Sequence, residues 1–120
     1  MINIKPKIYG ALNNIPGINV NDEYPSDWSK FPIITYTEED NSTYSIHDDE
    51  ESMCRVIYRI DIWHNSSTSD MAIEVDKAIS KLGLKRTFCK DAPDPSGLKH
   101  KVLRYEGIID IKTLRVYQRN

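Results

Sequence analysis

Cys54-Arg-Val-Ile-Tyr-Arg-Ile-Asp-Ile-Trp-His64 is the stretch that decides the fold. Val56, Tyr58, Ile60 and Ile62 recur at a period of two, and Arg55, Ile57, Arg59, Asp61 and Trp63 alternate with them. Successive side chains of a strand point to opposite faces of its sheet, so this pattern predicts a half-buried strand. Eleven residues without Gly or Pro is long for a strand. That length predicts a central place in a sheet, with the flanking segments packed around it.

Working outward towards the N-terminus, Pro32–Tyr36 alternates in the same way, with Pro32 at the strand start where a missing N–H is tolerated. Glu38-Glu39-Asp40-Asn41-Ser42 reads as a turn, Thr43–Ile46 as a brief return strand, and His47–Glu51 as a solvated acidic loop. Asn21–Phe31 is polar and irregular, and its aromatics, Trp28 among them, are expected to plug the end of the core. Ile8, Ala11, Leu12 and Ile15 are spaced for a short amphipathic helix, with Pro6 in its first turn and Pro16-Gly17 as its stop.

Towards the C-terminus, the Ser/Thr-rich loop Asn65–Asp70 offers N-cap residues to a helix over Met71–Leu82. Met71, Val75, Ala78, Ile79 and Leu82 form its apolar stripe, and Gly83 is placed to end it. Leu84–Lys90 reads as a short strand, Asp91–Gly97 as a Pro- and Gly-containing loop, and Leu98–Ile109 as a second long strand. Leu114 and Val116 belong to a last strand or a tail. Runs of strands with few helices predict an α+β fold: one domain over residues 1–120, a mostly antiparallel sheet with two helices packed on one face.

Composition bounds function more than it identifies it. The 120 residues carry a net charge of −2, with 28% charged and 39% hydrophobic residues, as in ordinary globular proteins. No apolar run reaches the roughly 18 residues of a membrane helix, and Met1–Lys7 lacks the apolar stretch of a signal peptide. Cys54 and Cys89 have no metal-site spacing and are expected to be reduced thiols. The charge is segregated: Asp22–Glu51 holds ten acids and one base, and the remainder eight acids and fifteen bases. Such asymmetry bears on partners and assembly rather than on fold.

Catalytic constellations are not evident. The five glycines are scattered, and neither H-E-x-x-H nor C-x-x-C occurs. His47, His64 and His100 lie far apart in sequence. His64 and Asp61 are three residues apart on one strand and point to opposite faces, which removes them as a base and its orienter. Asp48-Asp49-Glu50-Glu51 lacks the alternating ligands and central Gly of an EF-hand loop. It reads as a solvated charge run. The C-terminal bases Lys99, Lys101, Arg104, Lys112, Arg115 and Arg119 could meet phosphates, but without a recognised nucleic-acid fold they are weak evidence. No catalytic residue, cofactor or metal is therefore assigned. The outward face of the long strand is more informative, because Trp63, Arg55 and Arg59 are residue types enriched at protein interfaces.

At this point the chain resembles a family. Phe31-Pro-Ile-Ile-Thr-Tyr36, Tyr58-Arg-Ile-Asp-Ile-Trp63, Leu82-Gly-Leu-Lys-Arg86 and Leu98-Lys-His-Lys-Val-Leu-Arg-Tyr105 are similar to segments of the tail-completion, or tail terminator, proteins of long-tailed bacteriophages and prophages. The resemblance covers about Ile8 to Tyr105 and rests on the combination of individually loose motifs. It departs at Ala92-Pro93, where an aromatic is expected shortly after Asp91. The resemblance implies a non-enzymatic virion protein assembled in the host cytoplasm. It implies a ring, commonly a hexamer, at the head-proximal end of the tail, which ends tube polymerisation and joins tail to head. Its partners are then further copies of itself, the tail tube protein and the head–tail connector, with non-specific contact to DNA in the lumen and none to a membrane. A head-side neck adaptor is the alternative, and a small enzyme using His64 or His100 a remote one. A ring needs complementary patches on each subunit. The expected interface residues are Asp48, Asp49, Glu50 and Glu51 against basic surfaces that include Arg55, Arg59, Lys101 and Arg104, with Trp63 beside them.

Overall fold

The computed structural model describes residues 1–117. Its elements run α1 (Lys5–Asn13), β1 (Asn19–Asp22), β2 (Ile33–His47), β3 (Glu50–His64), α2 (Ser69–Ser80), β4 (Lys85–Asp91) and β5 (Lys99–Asp110). They form an α+β fold with one five-stranded sheet in the order β1-β2-β3-β5-β4. Only β1 runs parallel to its neighbour.

β3 occupies the centre, as its alternation predicts. Cys54, Val56, Tyr58, Ile60 and Ile62 are all fully buried. They meet Ile34 and Tyr36 of β2 and Leu103, Tyr105 and Ile109 of β5 on the same face, since a direct cross-strand partner shares its neighbour's side of the sheet. Both helices cover that face. α1 contributes Ile8 and Leu12, and α2 contributes Ala72, Val75 and Ile79, to one continuous apolar cluster. Tyr58 and Tyr105 stand directly opposite one another within it. Each buried phenol keeps a partner: Tyr58 Oη donates to Glu38 Oε1 at 3.0 Å and Tyr105 Oη to Asp76 Oδ1 at 2.8 Å. Burial, reinforced by the facing carboxylate, pushes both phenols well above the ordinary tyrosine range.

Several boundaries differ from those read in sequence. Glu38–Ser42 is not a turn but the middle of a fifteen-residue strand. The ladder shifts register between Glu38 and Asp40, so Glu39 is accommodated as a bulge and pairing resumes beyond it. The chain reverses instead at Asp48 and Asp49, whose φ values of 52° and 63° are those a two-residue hairpin turn of type I′ requires. Glu50 and Glu51 are therefore the first residues of β3 rather than part of a loop. The helix expected over Met71–Leu82 starts two residues earlier and ends two earlier. Thr68 stands at its N-cap without a side-chain bond to the first turn, so the expected hydroxyl cap is not made there. Asp70 in the first turn and Lys77 in the last match the helix dipole.

The molecule is elongated, 52 × 28 × 24 Å. β3 pairs with β5 only as far as Met53 opposite Asp110, and β1 covers β2 only over Ile33–Tyr36. Beyond these limits the β2–β3 hairpin continues as a two-stranded arm. The N-terminal segment lies along the hairpin: Asn41 Nδ2 donates to the Ile2 carbonyl, and the Met1 amino group pairs with Glu51, one rung from the turn. Among the described residues, no helix is long and apolar enough to cross a membrane.

Candidate functional site

The sheet face opposite the helices is the one on which Arg55, Ile57, Arg59, Asp61 and Trp63 were expected to lie. It divides into a covered end, an open centre and the projecting arm.

At the covered end, segment 21–31 and the loop after β4 fold over the sheet. Ile33 and Thr35 are fully buried there, and Asp61 is only 3% exposed. Trp63 stacks on His100 with ring centroids 4.4 Å apart and an interplanar angle of 11°. Trp28 meets Trp63 edge-on at 5.2 Å, and Tyr24 meets Trp28 at 5.8 Å. These aromatics thus form a second small packed layer on the outer face instead of plugging the main core, and Tyr24 stays 71% exposed.

Asp61 holds this layer to the sheet. Its Oδ2 accepts from Arg59 Nε at 2.8 Å and its Oδ1 from His100 Nε2 at 2.9 Å. A carboxylate can only accept, so Nε2 carries the proton in this pair. His100 is clamped between a carboxylate and an indole face, which braces β3 against β5. His64 takes no part. Its Nδ1 accepts from the Ser66 N–H at 3.0 Å, and its ring stacks on Phe31. The sequence reading tested Asp61 only against His64, its near neighbour. Its true partner is 39 residues away, and only the β3–β5 register, Trp63 opposite His100, brings the two together.

Asp94 closes the layer from the loop. It accepts from Ser96 Oγ at 2.6 Å, from the Ser96 N–H at 2.9 Å and from Trp63 Nε1 at 3.3 Å. The Ser96 hydroxyl and backbone bonds, with smaller help from Trp63 and His100, hold its carboxyl below the ordinary carboxylate value. A carboxyl depressed in the folded state contributes stability above its unfolded pKa and loses it as pH falls through the folded value. Acid titration is therefore expected to shift tryptophan emission with a midpoint below the ordinary aspartate value. In Asp94→Asn, tryptophan fluorescence should lose that transition.

In the open centre the candidate cations are engaged within the chain. Arg55 bridges Asp40 at 3.4 Å and Glu106 at 3.3 Å. Arg104 pairs with the bulged Glu39 at 2.7 Å and lies 4.8 Å over the Phe88 ring. Lys101, on the helix side of the sheet, pairs with Asp91 at 2.8 Å. Much of the charge segregation seen in sequence is thus closed by pairs across the strands. Arg119 lies outside the described residues.

The arm is different. Asp48, Asp49 and Glu50 are exposed, and among the described residues no lysine or arginine pairs with them. Beside them Tyr44 is 54% and Ile46 67% exposed. Composition drew attention to the acids, whereas the two apolar residues were passed over because Thr43–Ile46 read as an ordinary short strand. On the far edge of the sheet, every residue of β4 is exposed, including Lys85, Phe88, Cys89 and Lys90. Cys54, by contrast, is fully buried. Among the described residues, no group of three or more His, Cys, Asp or Glu side chains is arranged to hold a metal ion.

No protein-family model matches the chain, and no curated protein matches its sequence.

Proposed function

We propose that the chain is a structural virion protein of a long-tailed bacteriophage. In this reading it forms a ring of six subunits at the head-proximal end of the tail, ends polymerisation of the tail tube, and docks to the head connector. It acts by shape and charge, without catalysis or cofactor. It is assembled in the host cytoplasm and resides in the virion.

One observation carries this reading. The motifs Phe31–Tyr36, Tyr58–Trp63 and Leu98–Tyr105 are far apart in sequence but fall on adjacent strands. Ile33–Tyr36 pairs with Ile60–Trp63, and Tyr58–Trp63 pairs with His100–Tyr105. Segments that resemble one family therefore form one contiguous sheet centre, as a shared fold requires. The exposed acids of the arm support the same reading, since a ring repeats a head-to-tail contact between unlike patches. Lysines left facing the lumen would touch passing DNA through its phosphates, without sequence preference.

The test is electron microscopy of particles made without this protein. Tail tubes of uncontrolled length are expected. Normal-length tails that fail to join heads would assign the chain to the head side of the neck, and particles unchanged in both respects would overturn the reading.

A further inference from the structure

We infer that the arm of one subunit docks in a groove beside β4 of the next copy, an inference that rests on the ring reading above. The groove, about 250 Å³, has a floor of Phe88, Ala92, Pro93 and Val102, with Lys90, Asp91 and Arg104 on its rim.

The two patches are complementary in kind. The arm tip presents exposed apolar side chains, Tyr44 and Ile46, beside Asp48, Asp49 and Glu50, which among the described residues no lysine or arginine meets. The groove presents apolar surface beside Lys90, which among the described residues pairs with no carboxylate, while its Arg104 and Asp91 are already paired with Glu39 and Lys101. Complementary charge steers such docking and disfavours wrong registers.

One molecule cannot satisfy itself. The groove lies level with Asp61 of β3, because Val102 pairs with Asp61 and Lys90 with Val102. From Asp61 to Glu50 at the tip, at about 3.3 Å per residue, is roughly 35 Å along the strand. The tip also lies beyond the last β3–β5 pair, Met53 opposite Asp110. A contact of tip with groove therefore joins two copies, and repeated head to tail it is the heterologous kind that closes rings.

Ile46→Cys with Lys90→Cys, in a Cys89→Ser background, puts one reporter thiol on the arm and one at the groove. Cys54 is buried and silent. Mild oxidation of the concentrated protein is expected to give a ladder of disulfide-linked multimers on a non-reducing gel, absent from either single-cysteine variant. As a second measurement, reversing Asp48, Asp49 and Glu50 to Lys should weaken self-association at least about tenfold in sedimentation. Adding Lys90→Glu should restore part of it. Oligomers without the 46–90 link, or reversal without rescue, would overturn this contact while leaving the ring reading intact. A chain monomeric at every concentration, with no ladder, would overturn it as well. The ring reading fails separately, on tail length in micrographs.

Discussion

Truncating Tyr105 to alanine is expected to destabilise the fold by about 3–5 kcal/mol, the range for removing a fully buried aromatic side chain. Tyr105 is 0% exposed and faces Tyr58 across the two central strands. Its removal opens a cavity between the sheet and α2, which the neighbouring strands cannot collapse to fill. It also leaves Asp76 without the phenol that donates to it at 2.8 Å. Asp76 retains Arg86 at 2.9 Å and some solvent, so this second loss is the smaller. Tyr105→Phe isolates it and should cost only about 1 kcal/mol. Against a total stability of about 5–15 kcal/mol, the alanine variant approaches unfolding. Thermal denaturation followed by circular dichroism should show a fall on the order of 10–25 °C. A loss as small as that of Tyr105→Phe would mean that the side chain is not central to the core.

The second large effect is expected at Asp61. Asp61→Ala removes the shared acceptor of Arg59 and His100 and should cost about 2–3 kcal/mol. That is less than the 3–5 typical of breaking a fully buried pair, because Arg59 is 38% exposed and water can replace part of what it loses. His100 is the more confined partner and bears most of the cost. Denaturant titration of Asp61→Ala, His100→Ala and the double variant should reveal a coupling of about 1–2 kcal/mol. Strictly additive losses would mean that the bond between them holds nothing. Tryptophan emission gives an independent view, since Trp63 stacks on His100 and should redden when the imidazole is released.

How much of this was legible in the sequence depends on the range of the interaction. The parity of Val56–Ile62 is a local property, and it located the central strand and its buried face without any partner. The middle of β2 was misread because Glu38-Glu39-Asp40-Asn41-Ser42 has the composition of a turn. What keeps it extended lies elsewhere in the chain: Arg104 holds Glu39, Arg55 holds Asp40, and Tyr58 holds Glu38. The real turn, Asp48-Asp49, lacks the glycine that announces most two-residue hairpins. It falls inside the acidic loop expected over His47–Glu51, and it ends the longest ribbon in the molecule. The Asp61–His100 brace depended on register between strands 39 residues apart, which no local pattern encodes. Of the expected interface residues, Asp48, Asp49 and Glu50 are presented outward, while Arg59 and Trp63 are occupied by their own chain.

The projecting arm carries a consequence for how such a protein can change. Substitutions among Tyr105, Ile60 or Leu103 are limited by packing, and every acceptable variant must preserve the same interior. Residues 44–50 have no such obligation, because their side chains touch little of the body that folds. In the ring proposed above, their identity answers only to the surface they meet. Body and arm can thus drift at different tempos, and a lineage could exchange its neighbour, or exclude a rival's, by rewriting a few codons at the tip of one ribbon.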